Sequence, residues 1–498
     1  MSKYLGITIG PIFDTIDEAV SPAGLWFASM LFSDISELLC GELRDKFKDC
    51  KILSPLNTQP NENMYGTYPD RIIVSLKESQ TFSESKLKLL INEVIKEVVD
   101  LVKYKDKDVS EFIKEYLQIN YVIFDSDNTS IGKIQKVANE KLNAIEWMKK
   151  IPRKNNIFTP LFRGDSDEKR HENIKNTKLV KDHKVAESVL CIQNNKDYSF
   201  KSIEDICKVN PEFKKSRYYA IVYADVDSLE DTLSTIENEE QMQKLSDLRS
   251  RFISKTTDFI NEFGGITIYA GGDDLFFLSP VESRKGENII KLCRKILSYL
   301  TMTFSKGMGK KFTMSFGVSI QYKKYPLYEA INNARHLLFD VCKAYDENGN
   351  KKLESRNSMA ISFQKHSGTT LQIRISNDEI KDVVEQLEKN NTNVKDIGIN
   401  SVIKALEYHK PLINKIDYAF IKKNELKKED VLSIFDNYYD HESQQANLKY
   451  YHIVIKYYYD HILLSNGKFT ILDEDSNPID SLLWILKYKE FLLEGNKL

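Results

Sequence analysis

Tyr269-Ala270-Gly271-Gly272-Asp273-Asp274-Leu275-Phe276-Phe277-Leu278 places two adjacent carboxylates on a glycine turn between two short apolar runs. Ile266 to Ala270 and Leu275 to Leu278 read as buried strands, and Gly271-Gly272 lets the backbone turn with positive φ and come close to a ligand. The turn therefore projects Asp273 and Asp274 from one edge of a sheet. Glycine and aspartate are also ordinary hairpin residues, so this stretch alone fits a plain turn equally well. Upstream, Tyr218-Tyr219-Ala220-Ile221-Val222-Tyr223-Ala224 is a second apolar, β-rich run. It ends in Asp225-Val226-Asp227, as a strand does when it carries carboxylates out of a core.

Between the two lies a charged segment, roughly 229–263, with Leu245, Leu248, Phe252, Ile253, Phe259 and Ile260 at helical spacing, which predicts a helical crossover. Downstream the pattern predicts a helix over 288–304, a strand over 312–321, a helix opened by Pro326 over 327–345, and strands over 358–363 and 371–375. The order starts as β-α-β-β-α-β, a ferredoxin-like palm. Residues 1–150 read as a first palm, with strands at 4–9, 71–76 and 118–124 and helices near 83–102 and 131–149. It has no counterpart of the Gly-Gly-Asp-Asp turn and is expected to bind rather than catalyse. Residues 151–214 read as a polar connector and 215–375 as the second palm. Residues 376–498 read as a helical domain, in which Tyr450-Tyr451 and Tyr457-Tyr458-Tyr459 are expected to pack. The fold class is thus α+β, with two palms and a helical tail.

Carboxylates that converge repel, by roughly 4 kcal/mol for two unit charges 4 Å apart at an effective dielectric near 20, so a cation is expected among them. Magnesium or manganese suits an all-oxygen donor set and bridges phosphate oxygens. Asp225, Asp273 and Asp274 are the first candidates for metal binding and catalysis. Asp227 is a further candidate, with helix capping as the other reading.

The segment Ala330-Ile331-Asn332-Asn333-Ala334-Arg335-His336-Leu337-Leu338-Phe339-Asp340-Val341-Cys342-Lys343, followed by Ser355-Arg356-Asn357-Ser358, resembles the closing helix and last strand of GGDEF and type III CRISPR polymerase-cyclase palms. That resemblance implies that Gly271 and Gly272 approach the nucleotide, that Lys343 meets its triphosphate, and that Arg356 and Asn357 border the pocket. A lysine late in a helix also suits the helix dipole without any ligand. The opening Lys3-Tyr4-Leu5-Gly6-Ile7-Thr8-Ile9-Gly10-Pro11, the run from Ala23 to Ser33, and Gly66-Thr67-Tyr68-Pro69-Asp70-Arg71 are similar to the large subunit of type III-B (Cmr) CRISPR effector complexes. In that family the first palm also contributes to the nucleotide pocket. Gly10 and Asp70 are therefore candidates for binding an acceptor, although both also suit ordinary turns.

The chain departs from the larger members of that family in two ways. No His-Asp dipeptide occurs, so an HD nuclease domain is not expected. No Cys-x-x-Cys pair occurs, and His171, His183, Cys191 and Cys207 have an unconvincing spacing for zinc. With 498 residues, about three domains are expected; six cysteines without framework spacing and no apolar run of spanning length suggest a cytoplasmic protein with no membrane partner. A net charge of −2 argues against wrapping nucleic acid by bulk electrostatics, so RNA contact should be local or shared. The loop Ser305-Lys306-Gly307-Met308-Gly309-Lys310-Lys311 is one candidate for phosphate contact.

The resemblance implies a subunit that works with other Cmr-type subunits, CRISPR RNA and target RNA, and makes an adenylate second messenger from ATP. Two products stay open: cyclic oligoadenylate, or AMP joined to S-adenosylmethionine. The missing HD domain tilts the reading toward the conjugate. A structural subunit with an unused palm and a stand-alone GGDEF-like cyclase are the other readings; intact Asp273 and Asp274 argue against the first, the duplicated palm and helical tail against the second.

Overall fold

The computed structural model describes residues 2–56, 65–76, 81–103, 109–127, 130–146, 158–162, 172–182, 202–208, 217–271, 273–345, 352, 355–366, 368–381, 383–384, 399–423, 428–438, 445–463, 469–471 and 477–494. The first palm is a four-stranded antiparallel sheet of β1 (Ser2–Gly10), β2 (Lys51–Ser54), β3 (Arg71–Ser75) and β4 (Gln118–Ser126), in the order β2-β3-β1-β4. With α1 (Ile12–Glu18) and α2 (Pro22–Lys46) before β2, and α3 (Glu84–Val102) and α4 (Ser110–Tyr116) before β4, this is the ferredoxin-like arrangement. Alternation along β1 explains its two-sided burial: Leu5, Ile7 and Ile9 face α2 and α3, while Tyr4 faces α5 (Ile131–Glu146). Ser21 caps α2 by accepting from the Gly24 amide at 3.2 Å, and Pro22 occupies the first turn, where it costs no hydrogen bond. Contrary to the sequence expectation, α2 is long and apolar enough to cross a membrane by length and composition; here its side chains from Pro22 to Ser33 are all buried in the core.

The second sheet has seven strands. Its palm portion comprises β5 (Tyr218–Val226), β6 (Ile266–Ala270), β7 (Asp274–Pro280) and β8 (Met314–Tyr322), whose order β8-β5-β7-β6 repeats that of the first palm. The crossovers are α6 (Leu229–Ser234) with α7 (Glu239–Phe263), and α8 (Ile289–Met308). The helix α9 (Leu327–His336) then returns the chain so that β9 (Ser358–Gln364) lies parallel to β8, and β10 (Thr370–Ser376) follows antiparallel. Gly309 has φ of +72° and ends α8, so most of the basic stretch read as a loop is the last turn of a helix.

β5 is apolar from Tyr218 to Ala224 because it is covered on both faces. Ala220, Val222, Ala224 and Val226 point into the core shared with α7, α8 and the C-terminal helices; Tyr219, Ile221 and Tyr223 point into the core shared with the first palm. The two palms are therefore packed against each other. Gly66 bridges to Tyr269, and the Ala270 amide donates to the Gly66 carbonyl at 3.1 Å. The segment read as a polar connector also supplies core residues: Phe158, Phe162, Ile174, Leu179 and Ile206 are buried with the first palm.

The C-terminal part contains α10 (Ile399–Lys423), α11 (Lys428–Tyr438), α12 (Gln445–Tyr457) and α13 (Pro478–Glu494). It is not purely helical, since Phe469–Ile471 forms β11 and extends the second sheet beside β10. Tyr450, Tyr451, Tyr457, Tyr458 and Tyr459 are all buried, as the packing reading expects. His171, His183 and Cys191 lie outside the described residues, and Cys207 is buried.

Candidate active site between the palms

The site begins with a strand register. β5 and β7 pair antiparallel with Tyr223 opposite Phe276 and Asp225 opposite Asp274. Opposite residues share a face, and two-residue alternation places Asp225 and Asp274 on the face of Tyr223 and Phe276. Those two rings stack at 4.2 Å with 12° between their planes and pack toward the first palm. The carboxylates therefore stand at the end of the sheet on the side turned to the first palm. The hairpin is fastened by the Gly271 amide donating to the Asp274 carbonyl and by the Val226 amide donating to the Asp273 carbonyl, both at 3.0 Å. Gly271 is required as glycine: a Cβ there would lie 2.0 Å from the Tyr269 hydroxyl and 2.5 Å from its Cζ, so only a bare backbone lets that ring fold over the turn. Gly272 lies outside the described residues.

Acidic charge collects around the turn. The Asp274 carboxyl reaches solvent, yet its own environment is crowded. Loss of hydration, then the charges of Asp273 and Asp70, push its pKa up, while Arg249 opposes them. Asp70 of the first palm is likewise raised, first by burial, against the lowering effect of Arg71. The Tyr269 phenol is held far above its usual range by burial and by Asp274, Asp70 and Asp273, so it stays protonated. The structure thus brings Asp70 from one palm into the electrostatic field of the turn on the other. Gly10 is close by in the first sheet, since the Ile9 amide donates to the Asp70 carbonyl at 3.0 Å.

Residues 218–360 match the family described as Cas10/Cmr2, second palm domain. This part of the chain is similar to a Cas10/Cmr2 second palm. The CRISPR system Cmr subunit Cmr2 of Pyrococcus furiosus is 31% identical over 106 residues, which cover 21% of this chain and 11% of that relative. The chain thus spans about a tenth of the length of the curated relative it matches. Among solved structures, the type III-B Cmr-beta complex bound to cognate target RNA matches with a TM-score of 0.56 and 12% identity, over 99% of this chain and 83% of that one. The Csm1–Csm4 cassette in complex with AMPPNP matches at 0.51 and 11% identity, over 90% and 70% of the two chains. At these identities the two structures show a common fold. The resemblance read from the sequence is borne out by the family, the relative and the fold together.

The other anticipated residues of this palm fall into two groups. Lys343 is buried beside Asp225: its Nζ is in direct ion-pair contact with the Asp225 carboxylate and donates to the Val226 carbonyl at 3.4 Å. It gets there because α9 continues into a π-helical turn, Leu337–Cys342, closed by the Lys343 amide donating to the Leu338 carbonyl at 2.9 Å. Gly317 on β8 permits this, since a Cβ there would lie 2.2 Å from the Ala334 carbonyl oxygen and 2.6 Å from the Leu338 nitrogen.

Asp227 lies elsewhere. It is buried beyond the end of β5, where it accepts from Thr313 Oγ1 at 2.8 Å, Ser315 Oγ at 2.7 Å and the Asn357 amide at 3.0 Å. Arg356 Nη1 is 4.0 Å away. Its side chain caps no helix: Ser228 occupies the position before α6.

Among the described residues no group of three His, Cys, Asp or Glu is arranged as a metal cage. Asp225 is neutralised by Lys343, and Asp273 by Arg249 at 3.5 Å. The donor set is all carboxylate, it crowds negative charge at Asp274, and its present counter-ions are side chains able to swing away. These features suit a hard divalent cation such as magnesium or manganese.

Sequence reasoning passed over Arg249, Tyr269 and Arg335. Arg249 is one of many charged residues on α7. Arg335 stands in the closing helix of the second palm; its Nη1 pairs with Asp17 of α1 at 3.0 Å, its Nε donates to the Tyr223 hydroxyl at 3.3 Å, and it lies over the Phe13 ring at 4.7 Å. It ties the two palms together, and no local sequence signal marks such a contact.

Proposed function

We propose that the chain is the nucleotidyltransferase subunit of a Cmr-type type III CRISPR ribonucleoprotein, and that it makes an adenylate second messenger from ATP when target RNA is bound. The observation that carries this reading is the placement of Asp225 opposite Asp274, facing the first palm, within a Cas10/Cmr2 second palm. The fold relatives support it: the Csm1–Csm4 cassette is described with AMPPNP and with cA4, and Cmr-beta with cognate target RNA. Other Cmr-type subunits, CRISPR RNA and target RNA are the partners this reading requires, in a cytoplasmic complex.

In this reading Asp225, Asp273 and Asp274 hold magnesium or manganese, which would supply charge for the phosphates and acidify the acceptor. Lys343, paired with Asp225 at rest, would turn to the triphosphate. Arg356 and Asn357 border the same phosphates, and Gly271 with Gly272 lets the nucleotide approach the backbone. Asp70, with Gly10 beside it, receives the acceptor on the first palm. Two unlike palms suit two unlike substrates, which favours joining AMP to S-adenosylmethionine. Cyclic oligoadenylate synthesis is the second reading, favoured by the cA4 complex of a fold relative.

The test incubates the assembled complex with target RNA, magnesium and ATP, with and without S-adenosylmethionine, and weighs the products. A conjugate that needs both substrates is expected. Oligoadenylate alone would replace the first reading by the second, and no adenylate product at all would overturn both.

A further inference from the structure

We propose that Asp227 is a positioning residue and not a metal ligand: it fixes the Arg356-Asn357 turn so that the Arg356 guanidinium faces the nucleotide phosphates beside Lys343. This deepens the nucleotidyltransferase reading and rests on it.

An ionised carboxylate offers about four in-plane acceptor positions. At Asp227, Oδ2 receives Thr313 Oγ1 and the Asn357 amide, Oδ1 receives Ser315 Oγ, and Arg356 Nη1 approaches Oδ1 at 4.0 Å. The side chain is only 4% exposed, against 19% for Asp225. A cation could reach Asp227 only by displacing these donors. What the carboxylate does instead is join three strands. It links the end of β5 to Thr313 and Ser315 on the β8 side and to the residue that opens β9. Asn357 has φ of +52°, a left-handed conformation that asparagine adopts more readily than most non-glycine residues, and it is held from outside. Support comes from Asp227 on its amide, from the Asn377 amide on its carbonyl at 2.8 Å, and from Asn377 Nδ2 on its side chain at 3.2 Å. Asn377 Nδ2 also donates to the Met314 carbonyl at 2.7 Å, which closes the network onto β8.

Arg356 precedes this clamped residue. Its side chain is 9% exposed and its Nε is buried with no hydrogen-bond partner among the described residues. A buried guanidinium with an unsatisfied donor is costly unless an anion completes it. Lys343 Nζ is bonded to the Val226 carbonyl, one residue from Asp227, so the two cations flank the same end of β5. A triphosphate is the anion class that fits two adjacent cations beside a carboxylate metal site.

The test uses the full chain and two binding measurements: manganese alone by titration, and AMPPNP in the presence of magnesium. Asp225→Asn should weaken manganese binding tenfold or more, while Asp227→Asn should change it by less than about twofold. AMPPNP affinity should fall about tenfold for Asp227→Asn and for Arg356→Gln, and no further in the double variant, because one residue acts through the other. Ser315→Ala, which removes a single donor, should weaken AMPPNP about threefold with manganese binding intact, and serves if Asp227→Asn does not fold. Manganese affinity lost in Asp227→Asn or Ser315→Ala to the extent seen in Asp225→Asn would overturn the proposal, as would fully additive AMPPNP losses. An unaltered chain that binds neither probe would instead overturn the nucleotidyltransferase reading itself.

Discussion

Asp225 and Asp274 are cross-strand partners, 49 residues apart in sequence and directly opposite in the β5–β7 ladder. Each belongs to a run that is otherwise apolar, and each stands where that run leaves the core. The pairing presents both to the first palm, where Asp70 adds its charge. Lys343 offsets this on one side and Arg249 on the other, so the site at rest is a set of side-chain ion pairs.

Replacing Asp273 and Asp274 together by Asn keeps side-chain size and removes the charge on which cation binding depends. Messenger synthesis by the assembled complex should fall by orders of magnitude, with subunit assembly and RNA binding retained. Product yield beside gel-shift and size-exclusion measurements checks this, and near-normal synthesis would remove the turn from the chemistry.

Asp70→Asn should separate the two palms functionally. A carboxylate there can pair with an acceptor amine in a charge-assisted contact, so acceptor affinity should drop about tenfold, equivalent to about 1.4 kcal/mol. ATP binding should hardly change. Affinities for S-adenosylmethionine and ATP, measured in parallel on the complex, decide it; equal losses would mean that Asp70 acts on the fold.

Gly317→Ala should disturb Lys343 from a distance. The added methyl collides with backbone atoms of the π-helical turn, which cannot swing aside as a side-chain tip does. A loss of about 1–3 kcal/mol in unfolding free energy is expected, with AMPPNP binding weakened as well. Chemical denaturation and nucleotide titration report the two effects; a variant as stable as the parent would show that α9 is free to move off the sheet.

Glu282 gives a pH dependence whose sign can be worked out. Burial pushes its carboxyl up to about 8 from an ordinary value of 4.5. Between those two values the unfolded chain has released a proton that the folded chain keeps. Stability from this group is therefore complete below the lower value and is lost as pH rises toward the upper one. Glu282→Gln removes the ionisation, so its melting temperature should gain on that of the parent as pH rises from about 5 to about 8. Lys489, lowered by burial to about 8, works in the opposite direction from that pH upward and is unaffected by the change. Parallel melting curves for the two proteins would show no divergence if Glu282 were ionised throughout.

Both palms and the carboxylates on the turn and at the end of β5 were legible because each is written in local pattern, whereas the lysine after α9 was singled out by the family resemblance. Apolar runs, glycine punctuation and helical spacing are short-range properties. Even the shared orientation of Asp225 and Asp274 is implicit in the two-residue period, counted from Tyr223 and Phe276. Asp227 shows where that counting stops. Two residues after Asp225, it ought to share its face, but β5 ends at Val226 and Ser228 takes a left-handed turn with φ of +55°, so the carboxylate swings under β8 and β9 into a nest of donors. The partners of Asp227 come from Thr313, Ser315 and Asn357, up to 130 residues away, and nothing near it in the chain announces them.

The core role of the connector was hidden for a related reason: its short helices are too brief for a period to emerge, and only contact with the first palm buries Phe158 and Phe162. β11 was missed because three residues carry no alternation to read. The sequence by itself determined which residue types stand at the ends of which strands, because the exclusion of apolar side chains from water acts through spacing along the chain. The tertiary structure alone decided which of those acids face one another, which are consumed by buried donors, and which basic groups neutralise them, because Coulomb and hydrogen-bond energies depend on separations that only the packed palms bring to a few ångströms.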